Sequence, residues 1–273
     1  MTTAAVRDRP SWEFGPQGIG ATLTVTDLVK TYRRSGGEAF NALDHVNLTI
    51  EAGQFVCIVG PSGCGKSTLL QMVTGLGQPT AGELALDGKP IDGPGPERGL
   101  VFQKDSVFPW MRVIDNVAYG LKVRGVAADA RKEIAERYLA EVGLAHVAKA
   151  WPKELSGGML KRVAIATTFA NAPQLLLMDE PFASVDYVTR RKLHRTVLDL
   201  WSEHQLSVMF VTHDVDEALT LADRIIVMKA GQIVDDRLVT ADRPRGVEDL
   251  AAPEMVEHKE ILLQHLGIGD GEH

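Results

Sequence analysis

The sequence predicts an α/β fold with a mostly parallel core sheet, an antiparallel β layer and an inserted helical subdomain. The first observation is a set of solid apolar runs at residues 55–59, 175–178 and 208–211. Continuous apolar strands of this length are typical of a parallel sheet that helices cover on both faces. The second observation is a glycine-rich loop directly after residues 55–59. The third is a long stretch with helical periodicity that precedes residues 175–178.

The amino-acid composition is that of an ordinary globular protein. Of its 273 residues, 45% are hydrophobic and 24% are charged, and the formal net charge is -7. This acidic balance argues against a nucleic-acid-binding surface. The chain lacks the apolar run of about 18 residues that a membrane span needs, and its first ten residues lack the apolar stretch of a signal peptide. Cys57 and Cys64 lie close together in sequence, so we expect both to be reduced.

The chain opens with a tail and two strands. Residues 1–20 are rich in proline, glycine and charge, and we expect a disordered or loosely packed tail. From Thr22 the apolar residues Leu23 and Val25 alternate with polar ones, which indicates a strand with one buried face. A second short strand around residues 47–50 follows a glycine-containing loop. These strands predict an antiparallel layer ahead of the main sheet.

Helical periodicity marks the middle of the chain. Ile134, Tyr138 and Val142 recur at four-residue spacing, and Gly143 follows as a helix stop. We therefore expect a helical subdomain at about residues 104–170 that is inserted into the α/β core.

The last third of the chain predicts a hairpin and a helix. Apolar residues 225–228 and 233–234 flank Gly231 and indicate a closing hairpin. We expect the main domain to cover residues 21–245. Residues 246–273 then form a C-terminal helical extension, a short amphipathic helix that packs back on the body.

The glycine-rich loop is the strongest chemical signal. It follows an apolar strand and precedes a helix-like segment, which is the context that a P-loop requires. Its glycines let backbone N–H groups turn inward around phosphates, and the next helix adds its positive N-terminal pole. Lys66 would contact the β- and γ-phosphates of ATP, and Ser67 would offer a hydroxyl to Mg²⁺. The candidate nucleotide-binding residues are Gly60, Pro61, Ser62, Gly63, Cys64, Gly65, Lys66, Ser67 and Thr68.

Two carboxylates end the second apolar run. Asp179 at the strand tip is placed to orient Mg²⁺, as in a Walker B arrangement. Glu180 is placed to polarise an attacking water, which makes it the candidate general base. Ordinary solvated acids at a strand end are the alternative interpretation. Together with the P-loop, the pair predicts a P-loop NTPase that uses ATP and Mg²⁺.

A Leu-Ser-Gly-Gly-Met segment narrows the class. Ser156 can cap the helix that begins there, and Gly157 and Gly158 leave space for a phosphate. Together with Arg162, this segment resembles the signature of the ABC ATPase family. The resemblance to this family extends over about residues 23–234. It implies that the signature meets the γ-phosphate held by a second copy of the chain. The implied assembly is a head-to-tail dimer whose ATP hydrolysis is coupled to transport.

Four other positions match the pattern of this family. The resemblance implies that Tyr32 stacks on adenine, with an ordinary buried or surface tyrosine as the alternative. It implies that Gln103 is a Mg²⁺ ligand at the hinge between subdomains and belongs with Glu180 and His213 to the catalytic residues. His213 corresponds to the switch histidine that contacts the γ-phosphate, the alternative being a structural histidine. Asp186 corresponds to the aspartate of the D-loop, which communicates across the dimer.

One region indicates a subfamily. Residues 97–103, 108–110 and 115–117 are similar to the ATPases of nitrate, sulfonate and taurine importers. In importers this region lines a groove that receives a helix of the membrane subunit. The resemblance implies two transmembrane permease subunits, an extracytoplasmic substrate-binding protein, no nucleic-acid partner and a place on the cytoplasmic face of the inner membrane. The transported substrate is not readable from this chain. A soluble ABC ATPase of DNA repair or translation is the alternative.

Four positions raise separate questions. Ser184 and Val185 replace the usual Ala-Leu before the D-loop aspartate, and Thr167 replaces a familiar arginine. In the family these positions are not phosphate, metal or water ligands, so they bear on coupling between the two sites. Cys64 is expected to face the phosphates at a helix N-terminus, where thiols tend to be reactive. We expect alkylation of this thiol to block ATP binding, unless the position merely tolerates a small residue.

Overall fold

The computed structural model describes residues 20–33, 36–103 and 107–267. The expected N-terminal tail lies outside these residues, apart from Gly20. Among the described residues no helix is both long enough and apolar enough to cross a membrane. The strands are β1 (Leu23–Arg33), β2 (Ala39–Ile50), β3 (Phe55–Val59), β4 (Ala81–Leu86), β5 (Lys89–Pro90), β6 (Arg98–Val101), β7 (Leu175–Asp179), β8 (Ser207–Val211), β9 (Arg224–Lys229) and β10 (Gln232–Leu238). The α-helices are α1 (Lys66–Thr74), α2 (Val113–Val123), α3 (Ala128–Glu141), α4 (Gly157–Ala170), α5 (Tyr187–His204), α6 (Val215–Leu221) and α7 (Pro253–His265).

The core sheet has the strand order β10-β9-β3-β8-β7-β6. Neighbouring strands from β9 to β6 run parallel, and β10 pairs antiparallel with β9. The predicted mostly parallel sheet and closing hairpin are therefore confirmed. Because the strands are parallel, the carboxyl ends of β3, β7 and β8 lie at one edge of the sheet. Ligands of open parallel sheets bind at this edge.

The burial of β3 on both faces explains why its sequence is a continuous run of apolar residues. All five of its residues are buried, and successive side chains point to opposite faces. Phe55, Cys57 and Val59 belong to the core beneath the helices, whereas Val56 and Ile58 belong to the core shared with the antiparallel sheet and α1. A strand that is covered on both faces leaves no place for a polar residue.

The second sheet is antiparallel with the order β2-β1-β4-β5, as predicted for the β layer. The strand β2 begins at Ala39, well before the predicted start near residue 47. Its first three residues are exposed, so their sequence has no apolar alternation to reveal a strand. The strands β4, β5 and β6 were not predicted, because β4 begins with three exposed residues and the other two are short.

The helices α2, α3 and α4 pack on one another within the expected helical subdomain. Ile134 and Tyr138 are buried on α3, and Val142 is buried where this helix ends. Gly143 follows with a φ of 72°, which confirms the predicted helix stop. Near the C-terminus, α7 packs against α6 and β9 and buries Met255 and Leu262.

Candidate nucleotide-binding site

The loop between β3 and α1 has the backbone of a phosphate-binding loop. Gly63 and Gly65 adopt φ values of 79° and 111°, which disfavour side chains. A Cβ atom on Gly65 would also lie 2.4 Å from the carbonyl oxygen of Ala42. The glycines therefore allow the tight turn that starts α1 at the carboxyl edge of the core sheet. The first N–H groups of a helix have no intrahelical acceptor and can bind anions.

Lys66 is the first residue of α1 and its side chain lies over the loop. The residue is 5% exposed. Its Nζ donates hydrogen bonds to the carbonyl oxygens of Gly60 and Pro61 at 2.6 and 3.0 Å. These acceptors carry no net charge, so the positive charge of the ammonium group is available to phosphate oxygens.

Ser67 and Asp179 form a pair of oxygen ligands although they are 112 residues apart. Ser67 Oγ donates a hydrogen bond to Asp179 Oδ1 at 3.2 Å. Burial raises the pKa of Asp179 and the charge of Glu180 adds to this effect, while the hydrogen bond from Ser67 opposes it. A hydroxyl and a carboxylate are the donors that Mg²⁺ prefers, and a divalent cation would offset the desolvation of Asp179. The residues present therefore fit Mg²⁺.

We expect Asp179→Asn to raise the melting temperature of the metal-free and nucleotide-free protein at neutral pH. Because the pKa of Asp179 is raised, its ionised form costs the folded state free energy. An amide removes that charge, and its oxygen can still accept the Ser67 hydrogen bond. The gain should shrink as the pH falls through the raised pKa of Asp179 in the folded protein, and it should vanish below the ordinary carboxyl pKa of about 3.9, where the carboxyl is neutral in both states. Thermal unfolding of both proteins across this pH range measures the effect, and a gain that grows on acidification would contradict it.

Glu180 and His213 meet at the ends of the neighbouring strands β7 and β8. His213 Nδ1 lies 3.0 Å from Glu180 Oε2. The Glu180 N–H donates to the carbonyl oxygen of Val211 at 2.9 Å, and its φ is 42°. A left-handed backbone is uncommon for a non-glycine residue and is concentrated at functional sites. Two of the three candidate catalytic residues thus form one hydrogen-bonded pair.

Tyr32 lies on the antiparallel sheet, and Gln103 follows β6, the strand next to β7 in the core sheet. The Tyr32 ring is 6.0 Å from the ring of Phe40 on the antiparallel sheet, and Lys30 Nζ is 5.1 Å from its centroid. Gln103 is exposed just after β6, and its carbonyl oxygen accepts a hydrogen bond from Lys161 Nζ on α4. Among the described residues, neither side chain hydrogen-bonds to the P-loop. The sequence did not point to Lys161, which links the segment after β6 to the signature helix.

The signature segment forms the start of α4. Ser156 Oγ accepts a hydrogen bond from the N–H of Met159 at 3.3 Å, which confirms the predicted helix cap. A Cβ atom on Gly157 would meet no atom within 4 Å, whereas one on Gly158 would lie 2.6 Å from Thr189 Cγ2. Gly157 therefore borders open space, and Gly158 lets α4 approach α5 closely.

The signature shares a cleft with the D-loop. The cleft has a volume of about 430 Å³ and is lined by residues that include Ser156, Gly157, Gly158 and Asp186. No P-loop residue lines it. Asp186 caps α5 by accepting the N–H of Thr189 at 3.0 Å, and this hydrogen bonding lowers the pKa of Asp186. The signature and the P-loop are thus two separate surfaces of one chain.

Cys64 differs from its expected placement. Its side chain is 4% exposed and belongs to the core shared with the antiparallel sheet. The thiol therefore packs beneath the P-loop, and the backbone N–H of this residue donates to the carbonyl oxygen of Pro61 at 3.3 Å. Both cysteines are free, as expected. Because the thiol is buried, alkylation requires the loop to open, and the expected block by alkylation loses its structural basis.

A P-loop on a parallel sheet, with a serine–aspartate pair for a metal and a glutamate–histidine pair beside it, defines a P-loop nucleoside triphosphatase. A family model described as "ABC transporter" matches residues 43–183. The chain belongs to the ABC transporter family, and it is an ATPase of this class.

Relatives and a solved structure agree with this assignment. The nitrate import ATP-binding protein NrtD of Synechocystis sp. is 45% identical over 226 residues, which cover 83% of this chain and 85% of that protein. The bicarbonate transport ATP-binding protein CmpD of Synechococcus elongatus is 41% identical over 231 residues, covering 83% of each. The dimeric cassette MJ0796, in a post-hydrolysis state with ADP and Pi, has a TM-score of 0.72 and 32% identity. The match covers 81% of this chain and 100% of that chain.

Proposed function

We propose that this chain binds and hydrolyses ATP to power an importer of the nitrate, sulfonate and taurine type, working as a head-to-tail dimer. The observation that carries the dimer is the separation of the signature cleft from the P-loop. A nucleotide on the P-loop of one copy would then be closed in by Ser156, Gly157 and Gly158 of a second copy. The dimeric form of MJ0796 supports this arrangement.

The proposed chemistry is the attack of water on the γ-phosphorus of ATP, which releases ADP and phosphate. Lys66 and the N–H groups of α1 would bind the phosphates, and Tyr32 would stack on adenine. Glu180 would accept a hydrogen bond from the attacking water, and His213 would contact both Glu180 and the γ-phosphate. Ser67, Asp179 and Gln103 would hold Mg²⁺, which when bound neutralises charge on the phosphates. ATP would keep the dimer closed, and hydrolysis would let it open.

An aromatic surface on the helical subdomain supports a membrane partner. The ring of Phe108 lies 5.3 Å from Trp110 and 5.0 Å from Tyr119. Trp110 is 67% exposed. Next to these rings a cavity of about 300 Å³ is lined partly by Arg112 and Trp151. Exposed aromatic clusters of this kind are typical of interaction sites, and we place the permease subunit here.

We expect Lys66→Ala to weaken ATP binding by roughly 10–100-fold, the range expected for losing a hydrogen bond to a charged group. Lys66 is the only charged residue within the P-loop sequence, residues 60–68, and its ammonium contacts neutral carbonyl oxygens there. Titration with a fluorescent ATP analogue measures the affinity. The control is Lys89→Ala on the exposed strand β5, which should bind normally. Equal affinity in wild type and Lys66→Ala would remove Lys66 from the phosphate site.

The transport assignment is tested by purifying the chain with its native permease and binding-protein subunits. ATP hydrolysis by the reconstituted complex should rise when the binding protein carries its ligand, and screening small anions on that binding protein would identify the cargo. Isolation of the chain with nucleic acid or ribosomes, and without membrane subunits, would favour the soluble ATPase of DNA repair or translation.

A further inference from the structure

Two side chains of α5, Arg190 and His194, contact the segment that carries His213, and Arg190 also contacts the D-loop. We call residues 184–186 the D-loop and residues 212–217 the switch segment. Arg190 and His194 are four residues apart and therefore lie on the same face of the helix. Each of them binds an acidic residue of the switch segment.

Arg190 contacts both segments with one guanidinium group. Its Nη1 donates to Asp214 Oδ2 at 2.7 Å, and its Nη2 donates to the carbonyl oxygen of Val185 at 3.1 Å. Val185 directly precedes Asp186, and Asp214 directly follows His213. A guanidinium group is planar and holds its donors in a fixed arrangement. A displacement of the D-loop would therefore be passed to the residue next to His213.

His194 holds the other side of the switch segment through a buried network. His194 and Glu217 are each 5% exposed, and His194 Nε2 lies 2.8 Å from Glu217 Oε1. The second oxygen of Glu217 accepts a hydrogen bond from Thr212 Oγ1. That hydroxyl in turn accepts the N–H of Asp214 at 3.0 Å. Both chain neighbours of His213 are thus held by one network.

The hydrogen-bond pattern assigns the tautomer of His194. Its Nδ1 is buried and has no hydrogen-bond partner among the residues that the structure describes. A proton on Nδ1 would be a buried unsatisfied donor, whereas a proton on Nε2 satisfies Glu217. His194 therefore donates to Glu217 through Nε2. Burying this carboxylate and imidazole costs free energy that apolar side chains would avoid, so packing alone does not account for the pair.

We propose that Arg190 and His194 are positioning residues, which keep His213 in hydrogen-bonding distance of Glu180, and that Arg190 also couples it to the D-loop. The D-loop borders the signature cleft, where the proposed function places the second copy of the chain. Contact of that copy with the D-loop would then reach His213 through Arg190, while His194 holds the other side of the switch segment. The inference rests on the proposed function, because it assumes that Glu180 and His213 act on ATP.

The test compares ATP turnover and ATP affinity in variants of the full chain. Arg190→Gln and His194→Leu should lower kcat by about 10–100-fold, the scale on which small misplacements of a catalytic group act. The affinity for ATP should stay within about twofold, because neither residue belongs to the P-loop. His194→Gln should keep most of the turnover, since its amide N–H can replace the Nε2–H donor to Glu217. The matched control is Arg195→Gln on the exposed part of α5, which breaks the 2.9 Å pair with Asp199 and should change nothing.

Several outcomes would overturn the proposal. Wild-type kcat in Arg190→Gln and His194→Leu would do so, as would equal losses in His194→Gln and His194→Leu. A parallel fall of ATP affinity and melting temperature in Arg190→Gln would show a merely structural role. If His194→Leu does not fold, the comparison of kcat between Arg190→Gln and Arg195→Gln tests the proposal. Normal hydrolysis by Glu180→Gln would instead refute the proposed function. Failure of the proposed function can therefore be distinguished from failure of this inference.

Discussion

Glu180→Gln should lower the turnover of ATP by roughly 10²–10⁴-fold, the usual contribution of a general base. The carboxylate stands at the end of β7 and is hydrogen-bonded to His213 at 3.0 Å. An amide preserves the size of the side chain and can still contact His213, but it cannot accept a proton from water. Steady-state phosphate release measures turnover, and titration with an ATP analogue should give a wild-type affinity.

The same variant should also trap the closed dimer. Because ATP would bind without being hydrolysed, sedimentation in the presence of ATP and Mg²⁺ should detect a stable dimer, whereas ADP should give monomers. Glu133→Gln on the exposed surface of α3 is the matched control and should behave as wild type. Near-normal hydrolysis by Glu180→Gln would remove Glu180 from its proposed role.

Gly157→Asp should abolish hydrolysis and ATP-dependent dimerisation without harming the fold. A Cβ atom at this position meets nothing within 4 Å, and Gly157 is the first residue of α4. A carboxylate in the first turn of a helix is favourable by about 0.3–1 kcal/mol, so the melting temperature should stay equal or rise slightly. In the proposed dimer the same carboxylate would face the γ-phosphate of the other copy and repel it.

The control for this variant is Gly93→Asp. A Cβ atom on Gly93 would also meet open space. The substitution adds the same charge, but to a loop outside the candidate site. It should leave both hydrolysis and dimerisation unchanged. Full hydrolysis by Gly157→Asp, or equal turnover per chain when the wild type is diluted until only monomers remain, would refute a shared active site.

The local parts of the site were predictable because each depends on a short stretch of sequence. The P-loop needs a buried strand, positive-φ glycines and a helix start within about ten residues, and all of these leave local signals. The cap of α4 by Ser156 is equally local. Likewise, the Asp179-Glu180 pair could be recognised because it ends a run of apolar residues.

The bounds of two helices after β7 were not predicted. In the helix α5 the apolar residues Leu193, Val197 and Leu200 recur at helical spacing, but none of the first six residues is buried, so the start of the helix has no clear signal. The helix α6 has seven residues, which is too short for a clear period. Arg190 and His194 therefore had no visible connection to His213, and the burial of Cys64 was not expected from its place in the loop.

By itself the sequence determined the chemical class of this protein: a triphosphate loop, a carboxylate pair and a signature segment, each encoded within a few neighbouring residues. Only the tertiary structure decided how these parts relate. Ser67 reaches Asp179 across 112 positions because β3 and β7 end at the same edge of one parallel sheet. The signature lines a different cleft because α4 begins in the helical subdomain. Such relations depend on strand order and helix packing, which are contacts between residues far apart in the chain.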